Sequence, residues 1–147
     1  MFTIGAHMSV AKGLDKAAED VVKIQANTMQ FFSRNPRGSS YKNYSDKEID
    51  KFQKIRKERH FGPLLAHAPY TLNLASAQEK VYDFACMVMR EDIARMDAIG
   101  IEYMVFHPGS HTGIGTEAGI QNIINGNNSN IKISIISNQD ILSSLSL

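Results

Sequence analysis

The sequence contains no tryptophan, one cysteine and four prolines among 147 residues. With Cys86 alone, no internal disulfide can form. This excludes a small secreted scaffold held by cystines, and a reducing, cytoplasmic compartment is expected. No apolar run approaches the roughly 20 residues that a membrane-spanning helix needs. Met1–Ser9 lacks the basic start and long apolar core of a secretory leader, so no membrane partner is expected. Sixteen basic and 15 acidic residues leave a net charge of +1, and no bulk field selects a partner. What remains, 43% hydrophobic and 21% charged, is the composition of an ordinary folded domain.

A second scarcity is local. Of the 31 Lys, Arg, Asp and Glu residues, residues 121–147 hold only Lys132 and Asp140. In that tail 7 Ile, 6 Ser and 6 Asn fill 19 of 27 positions, without any aromatic, Ala, Glu or Arg. Ordered domains rarely change composition so sharply without a boundary. The chain therefore divides into residues 1–124 and a low-complexity tail, 125–147.

The first part alternates short apolar runs with amphipathic stretches, the pattern of repeated βα units. Phe2–Ala6, Thr28–Phe32, Pro63–His67 and Tyr103–His107 read as strands. Their continuous apolarity predicts a parallel sheet buried on both faces. Ser9 is placed to cap a helix whose apolar stripe is Leu14, Ala17, Ala18, Val21 and Val22. Ser45-Asp46-Lys47-Glu48 reads as a capping box opening a second helix with Ile49, Phe52 and Ile55 inward. Ser76 opens a third, with Val81, Phe84, Val88, Met89, Ile93 and Met96 inward and Gly100 closing it. Cys86 and Met87 are read as core packing in that helix. Thr116–Ile124 is the fourth helix, and Ile131–Ile136 a further strand-like run.

Three strands are thus expected to end in histidine: His7, His67 and His107. The carboxyl ends of parallel strands form the functional rim of such folds. His67 and His107 lie one βα unit apart, on strands that would be neighbours about 4.8 Å apart. Two imidazoles so placed can converge on one metal at roughly 2.0–2.1 Å. His7, two strands away from His67, is expected beside that metal rather than on it. A lone histidine at a strand end is more often a structural residue, so it is the pair that carries weight. Between Asp20 and Asp46 no acid occurs, while Lys23, Arg34, Arg37 and Lys42 interleave with Phe31, Phe32, Tyr41 and Tyr44. Cations and planar rings in one loop suit phosphates and bases, although a solvated loop beside core aromatics reads the same way. Tyr70 and Asn73 follow His67 on the same rim, and Ser110 and His111 follow His107.

Four motifs occur in order: Gly5-Ala6-His7-Met8-Ser9, Phe32-Ser33-Arg34-Asn35-Pro36-Arg37, His67-Ala68-Pro69-Tyr70-Thr71-Leu72-Asn73-Leu74 and Phe106-His107-Pro108-Gly109-Ser110-His111. Over about residues 1–124 the chain resembles endonuclease IV, the zinc-dependent apurinic/apyrimidinic endonucleases. The resemblance implies an α/β fold, a TIM (β/α)8 barrel, of which only about the first four βα units are present. It implies a zinc-dependent phosphoric diester hydrolase of base excision repair, cutting double-stranded DNA on the 5′ side of abasic sites. Three zinc ions serve each full-length member. His67 and His107 correspond to two zinc ligands, and Asn35 and Arg37 to the loop entering the minor groove at the lesion. Tyr70 corresponds to the residue beside the extruded abasic nucleotide. His7, Asn73, Ser110 and His111 match positions near the site without a ligand role.

The chain departs from that pattern at the fifth strand, where the family carries a bridging glutamate. Asn130–Asn138 contains no carboxylate, and Asp140 is the only acid after Glu117. An incomplete, inactive fragment is therefore expected, its tail produced by a frameshift or assembly break near residues 122–127. If neither alternative reading frame encodes a glutamate-bearing strand, the frameshift idea fails. Open barrel edges predict self-association. The alternatives are a non-catalytic DNA- or zinc-binding remnant, and a metal-dependent barrel of the sugar isomerase or epimerase type.

Overall fold

The computed structural model describes residues 2–127. Within them four strands alternate with four helices: β1 (Gly5–His7), α1 (Leu14–Lys23), β2 (Thr28–Phe32), α2 (Asp46–Glu58), β3 (Leu65–His67), α3 (Glu79–Ala98), β4 (Tyr103–Val105) and α4 (Thr116–Asn127). The strands form one parallel sheet in the order β1-β2-β3-β4, as four successive βα units require. The strand-like run Ile131–Ile136 lies outside the described residues.

Register explains the layering. Paired residues on parallel strands point to the same side, and neighbours along a strand alternate. Ala6 pairs with Met29, Phe31 with Ala66, and Ala66 with Met104. On this side Met29, Phe31 and Ala66 are fully buried, packed with Leu14, Ala17, Ala18 and Val21 of α1 and Phe52 of α2. A second cluster gathers Ala85, Cys86, Val88 and Met89 of α3 with Leu72 and Leu74, and Met104 touches both clusters. The opposite side carries Thr28, Gln30 and Phe32 of β2, each only half-buried. The expectation of burial on both faces is therefore wrong for the described residues: apolar runs recur, but helices cover one side alone. At Gly5 any Cβ would collide with the Thr28 carbonyl, so only glycine lets β1 lie this close to β2.

Element boundaries moved for physical reasons. β1 starts at Gly5 rather than Phe2, and Phe2 and Ile4 are exposed. Pro63 and Leu64 fall before β3: proline has no N–H for a ladder, and the Leu64 amide donates instead to Glu102. Ser9 caps nothing in α1. The Leu14 amide instead donates to Glu48 Oε1 on α2, at 2.7 Å. That contact halves the predicted capping box, because Ser45 Oγ accepts from the Glu48 amide while the Glu48 side chain reaches α1 instead of Ser45. α3 begins at Glu79, not Ser76, whose hydroxyl accepts from the Gln78 amide just ahead of the helix. Phe84 and Met87 are exposed, contrary to their inward assignment. The buried stripe is Ala85, Cys86, Val88, Met89, Asp92 and Met96. At about 100° per residue Phe84 falls beside that stripe and Met87 opposite it. Gly100 ends the helix at φ +71, as expected of a left-handed closing glycine.

Glu48→Ala removes the acceptor for the α1 N-terminus and leaves a partly buried amide unpaired. We expect a loss of about 1–3 kcal/mol, the cost of leaving a buried donor unsatisfied, larger than that from Ser45→Ala. Urea unfolding of both variants checks the order.

Candidate active site

The register that buries Phe31 turns His7, Phe32 and His67 to the opposite side. His7 pairs with Gln30, and Phe32, two residues further along β2, pairs with His67. His67 pairs with Val105, the last residue of β4. His107 therefore lies two residues beyond its strand, not at its end as expected. The rings nevertheless meet in an arc. His7 and Phe32 centroids are 4.5 Å apart, Phe32 and His67 5.1 Å, and His67 and His107 5.2 Å. Tyr70 closes the arc at 5.3 Å from Phe32, 5.5 Å from His67 and 5.4 Å from His107.

Each imidazole has a distinct environment. His67 is buried, and its Nδ1 lies 2.6 Å from the Ala68 carbonyl. A carbonyl only accepts, so Nδ1 carries a proton, and Nε2 has no hydrogen-bond partner among the described residues. That is the arrangement in which a backbone carbonyl orients a metal-ligating histidine. His107 and Tyr70 are exposed. His7 is held below the ordinary histidine range, chiefly by desolvation and then by the repulsion that two protonated rings, His7 and His67, would feel.

The remaining predicted rim residues build the loops. Asn73 Oδ1 accepts from the Ser110 amide at 3.0 Å and the Ala75 amide at 3.2 Å, joining the loop after β3 to the loop after β4. Gly109, at φ +90, packs so closely on Asn73 that a Cβ would overlap its side chain. Ser110 Oγ lies 3.4 Å from the Thr112 amide. His111 Nδ1 accepts from the Gly113 and Gly115 amides at 3.2 and 3.3 Å. Its Nδ1 lone pair is thereby engaged within its own loop.

The loop after β2 leaves beside His67, since the Ser33 amide donates to the His67 carbonyl at 2.9 Å. Of the four cations counted between Asp20 and Asp46, three are paired. Arg34 is buried against Asp92, its Nη2 2.6 Å from Oδ1. Burial would weaken the Arg34 charge, but hydrogen bonds to Asp92 and Glu91 outweigh it and hold the group above the usual arginine range. Lys42 reaches Glu48 at 3.2 Å, and Lys23 pairs with Asp20 on α1 at 2.7 Å. Of the four, only Arg37 makes no ion pair among the described residues. It is exposed at the tip of a turn in which Asn35 Oδ1 accepts from its amide at 3.0 Å. Tyr44, at the other end of the loop, is half-buried, and desolvation pushes its phenol up to about 12.

Two side chains at or beneath the rim are not placed by the sequence reading: Phe32 is read only as a strand end and a planar ring of the loop, and Asp92 is not singled out. Phe32 is the ring that joins His7 to His67, and strict alternation with buried Phe31 would have signalled it. Asp92 lies on the buried stripe of α3 at i+7 from Ala85, and an acid at a core position is itself a signal. Among the described residues no group of three His, Cys, Asp or Glu side chains is placed to hold a metal ion. The described residues thus offer two imidazoles and no third ligand.

Residues 18–131 match the family model described as xylose isomerase-like TIM barrel. A protein of Heliobacterium modesticaldum named probable endonuclease 4 is 48% identical over 120 residues, covering 82% of this chain and 44% of its own length. A Clostridium botulinum protein of the same name is 46% identical over 132 residues, 90% of this chain and 48% of its own. The crystal structure of endonuclease IV from Thermus thermophilus superposes with a TM-score of 0.71 at 27% identity, over 83% of this chain and 45% of that one. The chain spans about half the length of the curated relatives it matches.

The two loop-end histidines should differ in tautomer. Long-range proton–nitrogen NMR is expected to find neutral His67 protonated at Nδ1 and neutral His111 at Nε2. The same tautomer in both would contradict the hydrogen bonding described.

Proposed function

The chain belongs to the xylose isomerase-like TIM barrel family, and from that premise we propose that it carries the DNA-recognition half of an endonuclease IV-type repair enzyme. The observation that carries this reading is the 5.2 Å approach of the His67 and His107 rings, with His67 Nε2 left free by the Ala68 carbonyl. The substrate is double-stranded DNA containing an abasic site, and the compartment is the cytoplasm. Among the described residues no helix is long and apolar enough to cross a membrane.

The roles divide by geometry. Arg37 supplies an unpaired cation for a phosphate or groove edge, and Asn35 fixes the turn that presents it. Tyr70 offers an exposed ring beside the histidines, suited to filling the space left by an extruded sugar. An abasic sugar has no base to unstack, so extrusion costs little and favours the damaged strand. Zinc fits this site only in part. His67 and His107 can supply two ligands, whereas a catalytic zinc takes about three from protein plus water. The described residues add no third, so no hydrolytic step is assigned to this chain. What the described residues support is binding of DNA and zinc. Both outer strands, β1 and β4, are paired on one side only among the described residues, which favours self-association through their edges.

Fluorescence anisotropy with intact and abasic duplexes tests the reading. We expect preference for the abasic duplex and roughly tenfold weaker binding by Arg37→Ala, with the salt slope reduced by about 1. His67→Ala and His107→Ala should each abolish zinc binding in calorimetry, whereas His111→Ala should retain it. Equal affinity for both duplexes would remove the abasic-site assignment, and binding to neither the DNA assignment. Strand cleavage by this chain with zinc would overturn the non-catalytic one.

A further inference from the structure

The loop from Ser33 to Tyr44 is attached to α3 through one carboxylate. Asp92 is fully buried, and three side chains converge on it. Ser33 Oγ donates to Oδ2 at 2.6 Å, and Arg34 Nε lies 2.9 and 3.0 Å from the two oxygens. Arg34 Nη2 and Arg95 Nη1 reach Oδ1 at 2.6 and 2.9 Å. Both guanidinium groups then donate onward to loop carbonyls. Arg34 Nη1 reaches Ser39 at 3.1 Å, Arg95 Nη1 reaches Ser33 at 3.1 Å, and Arg95 Nη2 reaches Lys42 at 3.1 Å. Tyr41 lies within 5.1 Å of the Arg34 guanidinium and 4.0 Å of that of Arg95.

Stability alone gives little reason for such a cluster. Buried ion pairs are often matched or bettered by apolar residues of similar volume. What an apolar core could not do is hold three carbonyls of an irregular loop. The contacts fix residues 33, 39, 41 and 42 and leave 35–38 as the projecting tip, which bears Arg37. Loops ordinarily lose conformational entropy on binding, and a preformed one loses less.

We propose that Asp92 is a positioning residue for the DNA-contacting turn, holding Arg37 in its binding conformation before DNA arrives. This rests on the reading of Arg37 as a DNA contact. Asp92 itself is buried and touches no ligand.

The test uses the 147-residue chain with Asp92→Asn, which keeps shape and loses charge. The Asn35 amide donates to the Ser40 carbonyl and the Gly38 amide to the Asn35 carbonyl, so both report the turn. In Asp92→Asn these amides should exchange with solvent about tenfold faster or more, the scale of losing a charged hydrogen bond, while circular dichroism stays unchanged. Affinity for an abasic duplex should fall, and adding Arg37→Ala should cost less than its effect in the wild type. Unchanged exchange, or fully additive losses, would overturn the proposal. Should Asp92→Asn fail to fold, Arg95→Lys replaces it. That variant keeps a cation beside Asp92 but cannot fork between Ser33 and Lys42, and unchanged exchange there overturns the proposal equally. A wild-type chain that binds neither duplex refutes the DNA reading, and the exchange rates still decide whether Asp92 holds the turn.

Discussion

Parallel pairing fixes the height and the facing of every strand-borne side chain at the rim. His7 is level with Gln30, two residues below Phe32; Phe32 and His67 stand level, and His107 lies two residues past Val105, the partner of His67. The same parity sends Phe31, Ala66 and Met29 under the helices. Core and site are therefore two readings of one register. A one-residue slip would bury imidazoles and expose phenylalanine, so the site cannot be lost by slippage without losing the core as well.

Above the strands, irregular backbone is held by polar contacts as well as by the apolar packing of Leu72 and Leu74. The His67–Ala68, Asn73–Ser110 and Asp92–Arg34 contacts each join a strand end or a helix to a loop, or one loop to the next. This polar bracing leaves His107, Tyr70 and Arg37 exposed. It also separates two sorts of residue that look alike in sequence. His67 keeps a nitrogen free, whereas His111 engages its Nδ1 within its own loop. Arg37 is free to meet an anion, whereas Arg34 is committed to Asp92.

The repeated βα order, the full extent of β2 and the parallel fold were legible because period-two and period-3.6 patterns are local. The pairing of His67 with His107 was legible for the same reason: equivalent positions in successive units become neighbours in space. Partnerships across distant segments were not legible. Glu48 capping α1, Asp92 holding Arg34, and Asn73 joining two loops all span more than 30 residues, and nothing local marks them. The charge gap between Asp20 and Asp46 misled for this reason. It counted cations in one segment while their partners sat in others, leaving Arg37 as the one of that set without an ion pair among the described residues. Phe84 and Met87 were assigned inward by hydrophobicity, but the helix face that packs is chosen by what lies beneath it.

The carboxylate of Glu48 ties the order of assembly to the order of synthesis. α1 is complete at Lys23, yet the acceptor for its first amide belongs to a residue made 25 positions later. At ~5–20 residues per second the ribosome needs roughly one to five seconds to deliver it. A ten-residue helix is marginal alone in water. During that interval α1 is a nascent, fluctuating segment whose apolar stripe is available to chaperones, and it becomes permanent only when α2 swings into place. The first amide of the first helix waits for an acceptor on the second, so α1 is a latecomer despite its position in the chain.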